Sequence, residues 1–298
     1  MPEQDKTRLL EFLAAGERGD VERFDEYLTP DSLEHNPFPG QGPGREGVKQ
    51  LFQTLKRAIP DLSMPQVAII TEGDKLAAVG KTIGKQIGDM PGMPATGKPF
   101  DVYSIDWARL EGGKFAEHWG LIDFATMGRQ TGLAPLPPGL ENWKPVEGKA
   151  PTTGAIGTPK ENKEVLRHCI DLFNSGKEDQ LMLLFHPEAV DHTPIPGQTA
   201  GRAGWEQKFE MFQTAFTDPE WVIVDQLAEG DLVSDRYRFH GKHTGEIMGM
   251  PATNKSFEVD GMDMVRVRDG HIVENWSLFD FPAMMQQLGL AEGPTPSR

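Results

Sequence analysis

Two aspartates, Asp123 and Asp280, close closely related stretches: Glu117, His118, Trp119 and Asp123 in one, Glu274, Asn275, Trp276 and Asp280 in the other. The residues before each aspartate alternate as a strand does, and in a strand residues two apart share a face. Phe115, Trp119, Leu121 and Asp123 would then point together, as would Ile272, Trp276, Leu278 and Asp280. A carboxylate beside tryptophan and leucine loses hydration, which raises its pKa toward the range useful for passing protons near neutrality. We therefore expect Asp123 and Asp280 to be general acid/base groups and Trp119 and Trp276 to line a pocket. The same two aspartates also suit a simpler task, capping the short helical segments that begin at Ala125 and Pro282. Parity puts Glu117 and Glu274 on the tryptophan face as well, unless a bulge turns them outward, in which case His118 and Asn275 become the pocket residues.

Other residues with usable chemistry lie nearby in the pattern. His35 and His192 sit in proline-rich loops, where an imidazole could orient a carbonyl, exchange a proton or brace the loop. His240 and His243 form H-x-x-H, but three residues apart on a strand they face opposite sides, and a zinc site needs more ligands than these, so no metal is expected. Met93 and Met250 occupy matching loops, Gly88–Pro94 and Gly245–Pro251, and offer adaptable apolar contact. Tyr237, between Asp235 and Phe239, replaces the run Ala78, Gly80, Thr82. If that face lines a pocket, the first cavity is the roomier; if it faces the helices, these are two core fillings. No phosphate-binding glycine loop, G-x-S-x-G elbow or H-E-x-x-H is present in the sequence, which leaves proton transfer without a cofactor.

The elements that must position these residues occur twice. Arg109 falls on Arg266 at an offset of 157, and the same offset lays His35–Arg45 on His192–Arg202, EGD on EGD and MPAT on MPAT without a gap. A repeat of this length is a whole small domain rather than a solenoid unit. In the first copy, helices are predicted over Asp5–Gly16, Val21–Leu28 and Gly44–Ile59, with Pro30–Pro43 as loop. Strands follow at Gln66–Thr71, Leu76–Gln86, Pro99–Arg109 and Phe115–Ile122, then a last helix from Asp123 to Gly132. The second copy repeats the pattern, with Asn162–Ser175, Gln180–Phe185 and Gly204–Phe216 helical. Its strands are predicted near Trp221–Leu227, Leu232–Lys242, Ser256–Arg268 and His271–Phe279. Helices first and antiparallel sheet afterwards predict an α+β fold with helices on one face of a curved sheet. The expected division is residues 1–133, a Pro/Gly-rich linker at 134–159, and residues 160–298, with the two domains packed as an internal pseudo-dimer and further homo-oligomerisation left open.

Composition limits the partners. Thirty Lys+Arg against 45 Asp+Glu give a net charge of −15, so nucleic acid and anionic membranes are poor candidates and a small, largely apolar organic ligand is the expected one. The single cysteine, Cys169, lies in an apolar helical stretch and reads as core. Without a long apolar run or a leader-like N-terminus, the expectation is a cytoplasmic protein.

The set His-x-Pro with GQ and GR, EGD, MPAT-[GN]-K, E-[HN]-W-x-x-x-D and Q-x-G-L resembles the SnoaL-like polyketide cyclase, or ester cyclase, family. That family belongs to the nuclear transport factor two-like superfamily and is similar in fold to ketosteroid isomerase and limonene epoxide hydrolase. The resemblance covers both copies almost end to end. It implies two cones, each a curved sheet around helices with an apolar pocket, and a cofactor-free intramolecular aldol cyclisation or isomerisation in which an aspartate is the acid/base. By position that role falls on Asp280 and Asp123. No histidine matches the family's partner on the preceding strand, where Trp107, Arg109, Met264 and Arg266 stand. Hydrolysis of an epoxide or lactone on the same fold, and ligand binding without catalysis, are the other readings.

Overall fold

The computed structural model describes residues 2–90, 93–134, 136–137, 139–146 and 148–290. They fall into two compact units with the boundary between Ala134 and Pro135. The first contains α1 (Pro2–Arg18), a 3-10 turn (Val21–Arg23), α2 (Phe24–Tyr27), β1 (Leu28–Glu34), α3 (Gly44–Ala58), β2 (Gln66–Glu72), β3 (Lys75–Lys85), β4 (Pro99–Glu111), β5 (Lys114–Ile122) and α4 (Phe124–Thr131). The second contains α5 (Pro159–Asn174), α6 (Glu178–Met182), β6 (Phe185–Asp191), α7 (Gly201–Ala215), β7 (Phe216–Glu229), β8 (Leu232–His243), β9 (Ser256–Arg268), β10 (His271–Phe279) and α8 (Phe281–Leu288). The α5 start is set locally by a capping box between Thr158 and Glu161, with Pro159 in the first turn. The stretch preceding it is tied to the second unit: Ala155 N donates to Asp269 Oδ1 at 2.7 Å and Asp269 N to Ala155 O at 2.9 Å.

Each unit carries one five-stranded sheet, ordered β1-β5-β4-β3-β2 and β6-β10-β9-β8-β7. The sheets are mixed rather than antiparallel, because β1 and β6 run parallel to β5 and β10. Both strands fall where the sequence suggested loop or the end of a helix. Each contains a proline, Pro30 or Pro187, which lacks a donor and is tolerated on a sheet edge. The following helix then lies close over that strand. A Cβ on Gly44 would stand 2.8 Å from Pro30 O and one on Gly201 2.5 Å from Pro187 O, and both glycines have positive φ.

Alternate residues of β4 fill the side under the helices. Ala108 and Leu110 join Phe24, Phe52, Leu76 and Phe115, while Phe100 and Val102 join Ala58, Ile59 and Met127. In β9, Phe257, Val259, Val265 and Val267 pack with Leu166, Phe173, Phe209 and Phe212. That side is the concave face of each cone. Between β4 and β5 the pairing slips, so Leu110 meets Phe115 but Arg109 meets Glu117; β10 slips at the matching place, between Ile272 and Glu274. The bulge inverts parity along the rest of the strand. His118 and Asn275 therefore face the concave side, while Trp119 and Trp276 face away from it, opposite to the pocket-lining placement expected from simple alternation.

Candidate active site

The register lays the concave face of the first sheet out in rows. Ala78, Asp106 and Gly120 form one; Leu76, Ala108 and His118 form the next, with Glu34 of β1 beside His118; Gly80, Ser104 and Ile122 form the row on the other side. His118 joins the polar members of these rows. Its Nδ1 lies 2.7 and 2.9 Å from the two Glu34 carboxylate oxygens, and its Nε2 lies 3.2 Å from Asp106 Oδ1. Gly120 makes the lean toward Asp106 possible, since a Cβ there would stand 2.8 Å from the imidazole and 3.0 Å from Asp106 Oδ1. Burial works against a charged imidazole, but the Glu34 charge and the hydrogen bond to Asp106 outweigh it and hold the His118 pKa well above its ordinary value. The site is reachable: 39% of the His118 side chain and 31% of Asp106 are exposed. An imidazolium touching a carboxylate on an accessible concave face can both take and give a proton.

The second copy keeps the rows and changes their contents. Asp235, Asp263 and Ser277 replace Ala78, Asp106 and Gly120; Asn275 replaces His118; Tyr237, Gly261 and Phe279 replace Gly80, Ser104 and Ile122. The carboxylate on the parallel edge strand, Asp191, is paired at 3.1 Å with Lys208 of α7. Asp235 is fully buried, and neither of its oxygens has a hydrogen-bond partner among the described residues. Burial, with the neighbouring Asp263 charge, lifts Asp235 well above the carboxylate range, and burial pushes Asp263 up to about 7 against the pull of Ser277, Lys208 and Tyr237. The surrounding space is aromatic. Phe239 lies 5.5 Å from Phe212, 5.4 Å from Trp221 and 6.1 Å from Phe279, centroid to centroid. Leu55, Met64, Thr82 and Ile122 occupy the matching positions in the first copy. The Asp235–Phe239 and Ala78–Thr82 runs thus face the helices and the concave space together.

The remaining residues picked from sequence are placed as follows. Asp123 and Asp280 are helix N-caps, accepting from Thr126 N at 2.8 Å and Ala283 N at 3.0 Å. Burial raises the Asp280 carboxyl, as does Asp260, while the Ala283 amide opposes them. His35 stacks on Trp119 at 4.2 Å and meets Glu117 at 3.0 Å; His192 stacks on Trp276 at 4.4 Å and meets Glu274 at 3.2 Å. Arg109 and Arg266 donate to those same glutamates. The hydrogen bonds from His35 and Arg109 hold Glu117 below the ordinary carboxylate range; for Glu274, burial opposes the shift but His192 and Arg266 prevail. Of the roles the sequence left open for these histidines, their contacts on the tryptophan side of the sheet are those of a brace. His243 is buried, with burial lowering its pKa, and its Nδ1 accepts from Thr253 N at 3.3 Å. Met93 and Met250 sit in small bridges, Met90 to Met93 and Ile247 to Met250, and pack on the adjoining cores. A cleft of about 360 Å³ reaches Asp191 from between Val146, Gly148 and Lys149 and the Pro187–Asp191 and Gln198–Gly201 stretches, and none of the residues picked from sequence lines it.

Sequence reasoning passed over Glu34, Asp106, Lys208, Asp263 and Ser277. A signal was available for two of them: Asp106 and Asp263 interrupt otherwise apolar or small alternations, Phe100 to Leu110 and Phe257 to Val267. A charged residue on the inward side of a strand needs an explanation.

A curved mixed sheet wrapped on helices, present twice, defines a tandem pair of nuclear transport factor two-like cones. Residues 7–131 and 163–288 each match the SnoaL-like polyketide cyclase family. The chain belongs to that family. Among similar proteins, the aklanonic acid methyl ester cyclase DnrD of Streptomyces peucetius is 32% identical over 139 residues, covering 45% of this chain and 93% of its own length. The nogalonic acid methyl ester cyclase of Streptomyces nogalater is 25% identical over 122 residues, 40% of this chain and 91% of its own. Of solved structures, TsrD of Streptomyces laurentii matches with 32% identity and a TM-score of 0.42, covering 44% of this chain and 97% of its own. IdmH of Streptomyces antibioticus matches with 36% identity and a TM-score of 0.39, covering 43% and 98%.

Proposed function

We propose that this protein catalyses carbon–carbon ring closure or isomerisation of a neutral polyketide-type carbonyl compound, with the chemistry placed in the first copy. The observation that carries the reading is His118, held between Glu34 and Asp106 on an accessible concave face. In this reading Asp106, as carboxylate, takes a proton from the carbon beside a carbonyl. The resulting enolate attacks a second carbonyl of the same molecule, forming the new carbon–carbon bond. The His118 imidazolium gives its proton to the oxygen that becomes hydroxyl, and the proton on Asp106 returns to His118 across their hydrogen bond. Glu34 keeps the imidazole oriented and charged. The relatives named for aklanonic and nogalonic acid methyl esters support the substrate class. Asp123 and Asp280 serve here as caps that set the angle between strand and helix.

The test is turnover of those two methyl esters by the full chain, followed by chromatography and mass spectrometry, with His118→Asn and Asp106→Asn. General acid/base groups contribute about 10²- to 10⁴-fold, and losses of that size are expected from both variants. Undiminished turnover in both would sink the assignment. Oxygen-18 from solvent appearing in the product would replace cyclisation with hydrolysis.

A further inference from the structure

In the first copy Asp106 has a cation of its own, His118. The second copy puts Asn275 at that position and adds a second carboxyl, Asp235, directly across from Asp263. Lys208, the cation that approaches, is bound to Asp191. What results is a pair of inward carboxyls without a countercharge of their own: both oxygens of Asp235, fully buried, and Oδ1 of Asp263 lack a hydrogen-bond partner among the described residues, and so does Nδ2 of Asn275. Asp263, Ser277 and Phe279 are partly exposed, so the row is not sealed. Two of the changes beside it add rings: Tyr237 for Gly80, its ring lying over Gly261, and Phe279 for Ile122. Carboxylates next to aromatic faces are the chemistry that recognises organic cations.

We propose that the concave site of the second copy binds a small organic ammonium ion, its charged head at Asp263 and Asp235 and its carbon frame against Tyr237 and Phe279. The ligand supplies the cation that His118 supplies in the first copy. The groups facing the pair are Tyr237 on β8, Ser277 and Asn275 on β10, Lys208 on α7, Asp191 on β6 and Cys169 on α5. Because burial pushes Asp263 up to about 7 when the site is empty, binding displaces a proton and tightens as pH rises through that value.

Titration calorimetry of the full chain with benzylamine, against its neutral isostere benzyl alcohol, tests the site. The expected result is one amine site per chain at pH 8, proton release on binding, and benzyl alcohol weaker by about tenfold or more. Asp235→Asn and Asp263→Asn should each weaken the amine by a similar factor. Asn275→His should do so too by placing a built-in cation beside Asp263, which keeps the test open if an aspartate variant fails to fold. His118→Asn should change nothing here, so loss of cyclase activity and loss of amine binding are separable. Equal binding of the alcohol, no amine binding at millimolar concentration, amine binding that survives the Asp235→Asn/Asp263→Asn double variant, or binding that depends on His118 would each overturn the proposal.

Discussion

The two copies keep one cluster on the tryptophan side of their sheets, where Trp107 nevertheless becomes Met264 and Val79 becomes Arg236, and differ on the concave side in the residues around a shared aspartate, Asp106 or Asp263. The stack of His35 on Trp119 with Glu117 and Arg109 is reproduced by His192, Trp276, Glu274 and Arg266. The caps Asp123 and Asp280 repeat as well. Across the sheet, His118 becomes Asn275, Ala78 becomes Asp235 and Gly80 becomes Tyr237. The identical residues of this cluster hold edge strand, loop and terminal helix together, whereas the identical pair Asp106 and Asp263 lies on the concave side. Of the residues that changed, Ala78, Asp235, Tyr237 and Asn275 are buried and His118 is partly exposed. The changes around the shared aspartate are what make the two concave sites chemically distinguishable.

The sharpest way to break this comparison is to give the first cone the filling of the second. Gly80→Tyr alone would collide with Ser104, because the Tyr237 ring occupies the space a Cβ on Gly261 would need. Gly80→Tyr with Ser104→Gly removes that collision and leaves only the Gln66 side chain, 2.5 Å from where a Cβ on Gly80 would stand, to move aside. Placing a ring where the first copy has none should lower kcat/KM by about 10²-fold or more, corresponding to roughly 3 kcal/mol at the transition state. Overpacking should lower stability by only about 1–3 kcal/mol. Retained turnover in a folded double variant would mean that this row is not the substrate cup.

A second contrast lies in pH. Asp235 and Asp263 both have pKa values raised in the folded state, so they bind protons in the native protein that the unfolded chain releases. Their stabilising contribution is complete below the ordinary carboxylate value near 4; that of Asp263 is lost as pH rises toward about 7, and that of Asp235 as pH rises through its own raised value. The second copy should therefore weaken between about pH 4 and pH 7. Asp235→Asn removes one charge of the pair and should raise stability at pH 8 by about 1–3 kcal/mol, with little change at pH 4. Urea unfolding followed by tryptophan fluorescence at both pH values measures it. A wild-type profile flat across that range would show that the pair carries no such strain.

Among the described residues, most of the helices and eight of the ten strands were legible because their apolar residues recur with the period of the element. The two edge strands, Leu28–Glu34 and Phe185–Asp191, were not, since a short proline-containing segment gets its ladder bonds from a distant strand rather than from its own pattern. Which residues face the concave side depended on a single extra residue in β5 and another in β10. The parity of Glu117 and Glu274 hinted at a bulge without locating it, and the bulge moves Trp119 to one face and His118 to the other. Glu34, Asp106 and His118 come together across three strands, and no spacing along the chain records that meeting.

The smallest predicted effect separates the two roles the sequence allowed for Asp123 and Asp280. Asparagine caps a helix about as well as aspartate, whereas alanine forfeits the bond and costs about 1 kcal/mol. Asp123→Ala and Asp280→Ala should each lose about that much in urea unfolding, and the asparagine variants should lose little. Activity must then be compared among the asparagine variants, where the cap survives and only the ionisable carboxyl is gone. If capping is the whole role, Asp123→Asn turns over substrate at the wild-type rate while His118→Asn does not. A 10²-fold loss in a stably folded Asp123→Asn would return proton transfer to the end of β5 and leave the His118 cluster as an orienting group.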